Sequence, residues 1–167
     1  MSEQLAFDVG DWIVHAYYGV GQIDSVEERP VHGETTDCYR VLTRDAEYWV
    51  PIDDGENPRI RPVASRSRIY RALRALKKPA EKMHKNYRTR QARISEVLSS
   101  SSLLDMARLL RDLRGRQKAR KLNTTDREAF ELIKERFTRE WAAAMEIKPE
   151  TARGRLKERL QAVEAAQ

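Results

Sequence analysis

A chain of 167 residues with 40% hydrophobic and 35% charged side chains can bury one ordinary core or two small ones, with its excess charge on solvated faces or against a polyanion. No stretch reaches the roughly 18 consecutive apolar residues of a membrane helix, and Met1 to Gly10, with Glu3 and Asp8, lacks the apolar run of a signal peptide. The one cysteine, Cys38, can form no internal disulfide, so a cytoplasmic protein without a membrane partner is expected.

The net charge of +6 conceals an asymmetry. Residues 1–63 carry 13 Asp/Glu against 5 Arg/Lys, whereas residues 64–167 carry 27 Arg/Lys against 13 Asp/Glu. A phosphate backbone would attract the second part and repel the first. Drift in a soluble helical protein produces such asymmetry too.

Residues 7–63 read as β structure. Trp12-Ile13-Val14-His15 is a short apolar run, and Gln22-Ile23-Asp24-Ser25-Val26 alternates polar with apolar. Between them, Tyr18-Gly19-Val20-Gly21 suits a tight hairpin, because glycine accepts positive φ without steric cost. Pro30 to Asp37 reads as a polar loop containing Gly33. Cys38 to Leu42 and Tyr48 to Ile52 form two further strands around a turn at Arg44-Asp45-Ala46. Asp53 to Pro58 is a turn leading to Arg59-Ile60-Arg61-Pro62. Four or five short strands in so few residues predict a small bent barrel of SH3 or Tudor type.

From about Ser65 the period becomes helical. Ile69, Leu73 and Leu76 share a face until Lys78-Pro79 stops the helix. Ile94, Val97 and Leu98 mark the next helix, which ends in Ser99 to Ser102; Ser102 then caps a helix with Asp105 three residues on. Leu103, Ala107, Leu110 and Leu113 form its stripe. Thr125 and Glu128 fit a capping box before the stripe Phe130, Ile133, Phe137 and Trp141. Pro149 suits the first turn of a last helix carrying Leu156, Leu160 and Val163. The expected fold is therefore α+β: a Tudor-like domain over 1–63 and a compact all-α domain of about five helices over 64–167.

Catalysis finds no support in these residues. His15, His32 and His84 lack metal-ligand spacing with one another or with Cys38, and Cys38 in a strand reads as a small buried hydrophobe. Gly19-Val20-Gly21 precedes a strand and has no Lys-Ser/Thr behind it, so it is no phosphate loop. Neither enzymatic activity, a metal nor a cofactor is expected.

The basic stretch carries more information. Residues 66–93 contain 11 Arg/Lys and a single acid, Glu81. Such a run repels itself unless a polyanion meets it, and each phosphate contact gains affinity through counterion release; a solvated helix face is the alternative. Within it lies Asn86-Tyr87-Arg88-Thr89-Arg90, an aromatic flanked by donors. Tyr87 fits two roles equally: a core residue of the helix it begins, or a ring that inserts at a base step while Lys82, Lys85, Arg88, Arg90 and Arg93 hold phosphates.

The order of these parts resembles a known family. Phe7-Asp8-Val9-Gly10-Asp11, Tyr18-Gly19-Val20-Gly21 and Val50-Pro51 are similar to the amino-terminal domain of CarD/CdnL proteins, a module shared with the transcription-repair coupling factor. Asn86 to Arg90 with Ser95-Glu96-Val97-Leu98, and Met106 to Leu113, resemble the helical domain of that family. The resemblance spans roughly residues 5–160. It implies a transcription regulator whose Tudor-like domain binds the β subunit of bacterial RNA polymerase, in part by pairing strand edges. The helical domain would contact upstream promoter DNA at the fork of the bubble, where a wedged tryptophan stabilises the open complex. Tyr87 stands in that tryptophan's place and Arg90 matches a basic residue after it, while Thr89 falls where an arginine is common. Arg29 matches a polymerase-contacting arginine, and Trp49 replaces another; with Val31 they make the expected protein-binding set. A monomer is expected. A polymerase-docking module without useful DNA binding, and a general nucleic-acid-binding protein with an unrelated β module, are the alternatives.

Overall fold

In the computed structural model, which describes residues 7–52 and 59–166, the alternating segments of the first part become one antiparallel sheet. Its strands are β1 (Trp12–His15), β2 (Gly19–Val31), β3 (Glu34–Leu42), β4 (Glu47–Pro51) and β5 (Ile60–Pro62), in the order β4-β3-β2-β1-β5. The last strand returns to pair with the first, His15 opposite Ile60, as in small SH3-like sheets. The turn expected over Asp53–Pro58 lies outside the described residues.

The first hairpin forms as expected, with Gly19 at a φ of 77°, whereas Gly21 and the second turn differ from the sequence expectation. The reversal between β1 and β2 falls at Ala16–Tyr18, where the imidazole Nδ1 of His15 accepts hydrogen bonds from the backbone of Tyr17 (2.9 Å) and Tyr18 (3.1 Å). Gly21 sits inside β2 for a packing reason. A Cβ there would lie 2.6 Å from Cγ1 of Val41, so only glycine lets β3 approach. The polar loop expected over Pro30–Asp37 is instead a hairpin. Val31 pairs with Glu34 across His32-Gly33, whose φ values of 51° and 83° are those of the primed turns that match strand twist.

A register shift between Ile23 and Ser25 inserts Asp24 as a bulge in β2. Before it, Val20 and Ile23 are buried; beyond it the strand is increasingly solvated. The core of this part is Ile13, Ile23, Tyr39, Val41, Tyr48, Val50 and Ile60, with Phe7 and Ile52 packed at its margin. Cys38 is buried as well, and burial pushes its thiol pKa up.

The second part forms five helices: α1 (Arg66–Leu76), α2 (Tyr87–Ser100), α3 (Leu103–Ala119), α4 (Thr124–Met145) and α5 (Pro149–Gln161). Ser65, Asn86, Ser102 and Asn123 cap the first four, each side-chain oxygen accepting a first-turn N–H. Asn123 displaces the box expected at Thr125 and Glu128: its Oδ1 takes the Asp126 N–H at 2.7 Å, which draws Thr124 and Thr125 into the first turn. Pro149 opens α5 as expected. The predicted stripes meet in one core, where Leu110, Leu113, Ile133 and Phe137 are fully buried. Backbone contacts divide the chain at Val63/Ala64 into two compact units, and the architecture is α+β.

Candidate functional site

Tyr87 is the first residue of α2, presented to solvent by the Asn86 cap, whose Oδ1 accepts the N–H groups of Arg88 (2.8 Å) and Thr89 (3.3 Å). Its side chain is not part of the core: the residue is 49% exposed. The phenolic hydroxyl donates to Thr125 Oγ1 at 3.4 Å, which draws the start of α2 to the start of α4. Two positive helix ends therefore meet beside the ring and add to the cationic potential there.

Arg90 lies one turn along α2, and its role differs from the expected one. Its guanidinium is 6% exposed, with Nε bound to Asp126 Oδ2 at 2.9 Å and Nη1 bound to the carbonyls of His84 (3.2 Å) and Lys85 (2.7 Å). Three of its five N–H donors are used inside the fold and the group is nearly buried, which leaves it little to offer a phosphate. Arg90 is thus a clamp that fixes the segment entering Tyr87, placed inside the fold where a phosphate contact had been expected. Asp126, wholly buried, also accepts from Gln91 Nε2 at 3.1 Å, and Arg116 lies 3.9 Å away. Burial, then the neighbouring Arg90 charge, hold the Arg116 pKa below its ordinary value.

Arg93 is held on one side by the fold. Its Nη2 is bound at 2.8 Å to the fully buried carboxylate of Asp112, which also accepts from Arg111 Nε and from the backbone N–H of Glu81. Much of its charge is answered inside the helical unit. Lys82, Lys85 and Arg88 behave otherwise. All three are exposed, and among the described residues none has an ion-pair or hydrogen-bond partner for its side chain.

The contact with Thr125 brings a further cationic group to the same corner. Arg120 and Lys121, which precede α4, and Arg127, two residues after Thr125, are exposed and unpartnered among the described residues. They lie more than thirty residues from Tyr87 in the chain. Their signal was the run Lys118-Ala119-Arg120-Lys121, unopposed by any acid. Tyr87 is thus a half-exposed ring on a capped helix start, with exposed cations in the segments that lead into α2 and α4. That arrangement suits a surface that grips phosphates around an inserted or stacked ring.

In the β unit, the structure brings Arg29 and Trp49 together. The Arg29 guanidinium lies 3.9 Å from the centre of the Trp49 ring, and the indole Nε1 donates to Glu27 Oε2 at 2.8 Å. That hydrogen bond holds the Glu27 carboxyl below its ordinary pKa. Period-2 geometry sets Glu27, Arg29 and Val31 on one face of β2, with Val31 at the hairpin end. Next to Trp49, Arg40 bridges Asp24 (2.8 Å) and Glu47 (2.6 Å). The strand order leaves β4, which carries Trp49, at an edge of the sheet.

Comparison with known families matches residues 7–64 to the CarD-like/TRCF RID domain and residues 71–157 to the C-terminal domain of CarD. The two matches succeed one another along the chain as the β unit and the helical unit do. The chain belongs to the CarD family, and it is a transcription-associated factor that interacts with RNA polymerase.

Proposed function

We propose that this factor docks on the β subunit of the polymerase through its β unit and grips promoter DNA with its helical unit at the upstream fork of the bubble, stabilising the open complex without catalysis. Docking uses the Arg29–Trp49 surface with Val31 beside it, and β4, an outermost strand among the described residues, is the place for strand addition. The DNA contact is centred on Tyr87, with Lys82, Lys85 and Arg88 on one side and Arg120, Lys121 and Arg127 on the other. The observation that carries this reading is the exposed ring of Tyr87 on a start of α2 fixed by the Asn86 cap and the Arg90 clamp. A wedge must be held rigidly, since any freedom it loses on insertion subtracts from its effect.

Unstacking a base step costs a few kcal/mol, and favouring the opened junction by about 1.4 kcal/mol shifts the equilibrium tenfold. With polymerase and promoter at fixed salt, Tyr87→Ala should shorten the open-complex lifetime by roughly that factor, while Tyr87→Trp, with its larger ring, should lengthen it. An unchanged lifetime in Tyr87→Ala removes the wedge.

The Thr125 hydrogen bond favours a second reading, in which the ring stays against its own unit and the cations alone hold the backbone. Tyr87→Phe separates the two. Freeing the ring lengthens the lifetime if the tether restrains a wedge, and changes nothing if the ring never leaves the surface.

A further inference from the structure

The cations of α1 remain unexplained by the Tyr87 corner. Ile69, Leu73 and Leu76 bury one side of this helix, and Tyr70, Arg71 and Arg74 lie on the opposite side. Arg66 and Arg68 flank them at the start, and Lys77 and Lys78 follow the end. All six basic residues are exposed, and among the described residues none of their side chains has a partner. Tyr70 is 50% exposed, and its hydroxyl likewise has no partner among the described residues.

This pattern works against the helix that carries it. Arginines in the first turn oppose the positive end of the helix dipole, and no acid stands there. Arg68 with Arg71 and Arg71 with Arg74 are like charges at helical neighbour spacing, which destabilise a helix. Arginine and tyrosine occur at protein–protein interfaces too, but a row of single sign without an acid is costly to desolvate at the centre of one. It suits a regular line of phosphates, which tyrosine hydroxyls contact as well.

We infer that the exposed face of α1 is a second contact for the duplex DNA backbone, separate from the Tyr87 corner. It contributes affinity without base readout and adds to the salt sensitivity of binding. The inference rests on the reading that the helical unit meets DNA.

The test measures affinity of the full chain for a plain duplex across a salt series. In the double variant R71Q/R74Q, the slope of log affinity against log salt should fall by about 2, since each phosphate left without its cation lowers it by about 0.9. R71K/R74K should keep the parent slope, and so should Tyr87→Ala, which removes no charge. An unchanged slope in R71Q/R74Q overturns the inference and leaves the Tyr87 reading standing. Should R71Q/R74Q keep its slope but lose capture of polymerase, α1 meets an acidic protein surface instead, and the inference is wrong. No binding of the duplex by the parent chain would overturn the inference together with the reading beneath it.

Discussion

Arg88 and Arg90 stand two residues apart in one basic motif, yet one is a free surface cation and the other a buried clamp. Helical geometry makes the difference. Two residues rotate the side chain by more than half a turn, so Arg90 faces Asp126 while Arg88 faces water. Removing one partner from a buried pair leaves an uncompensated charge, so Arg90→Ala should lower unfolding free energy by about 3–5 kcal/mol. Lys85→Ala should stay within roughly 0.5 kcal/mol of the parent, as an exposed and unpartnered position should. Denaturant unfolding of both variants, beside their DNA affinities, checks the assignment: Lys85→Ala loses affinity at full stability, and Arg90→Ala loses stability first. The reverse pattern would return Arg90 to the interface. None of this could be read from the motif, because Asp126 lies 36 residues downstream and looks like any other first-turn acid.

At the level of elements, strands and helices with one apolar face were legible, since the period alone identifies them. The stripe Phe130, Ile133, Phe137, Trp141 is buried throughout, and Ser65, Ser102 and Pro149 stand at helix starts. The hairpin arms were not legible. From Glu27 to Val31 and from Glu34 to Asp37, charged and polar residues occupy both faces, so no alternation survives to mark a strand. The pair His32-Gly33 was the remaining signal, a weak one because positive φ is uncommon for any residue but glycine, even for histidine, which is enriched there. Gly21 stands out in the sequence as a turn former, whereas its place in the fold is the gap that admits Val41. Gly21→Ala should destabilise the β unit by about 1–3 kcal/mol through overpacking. A thermal melt followed by the signal of Trp12 and Trp49 would register it, and an unchanged midpoint would mean that Val41 can move aside.

On the scale of the whole molecule, the proposed function turns on two units of opposite charge, one acidic and one basic, each with its own core. The acidic unit would be repelled by DNA and bears the Arg29–Trp49 cluster and β4, an edge strand among the described residues. The basic unit carries Tyr87, the exposed cations around the starts of α2 and α4 and those of α1, a set that suits a polyanion. The charge asymmetry was readable from composition, but the cations around the start of α4 join those of α2 only when folding sets Thr125 beside Tyr87.

The division of labour is tested most directly by a crossed measurement on the full chain. Capture of the polymerase β subunit and affinity for forked promoter DNA are determined for Arg29→Glu and for a triple Lys82→Gln, Lys85→Gln, Arg88→Gln variant. Arg29→Glu is predicted to lose capture and keep DNA affinity, and the triple variant to do the opposite. Loss of DNA affinity in Arg29→Glu, or intact DNA affinity in the triple variant, would contradict that division.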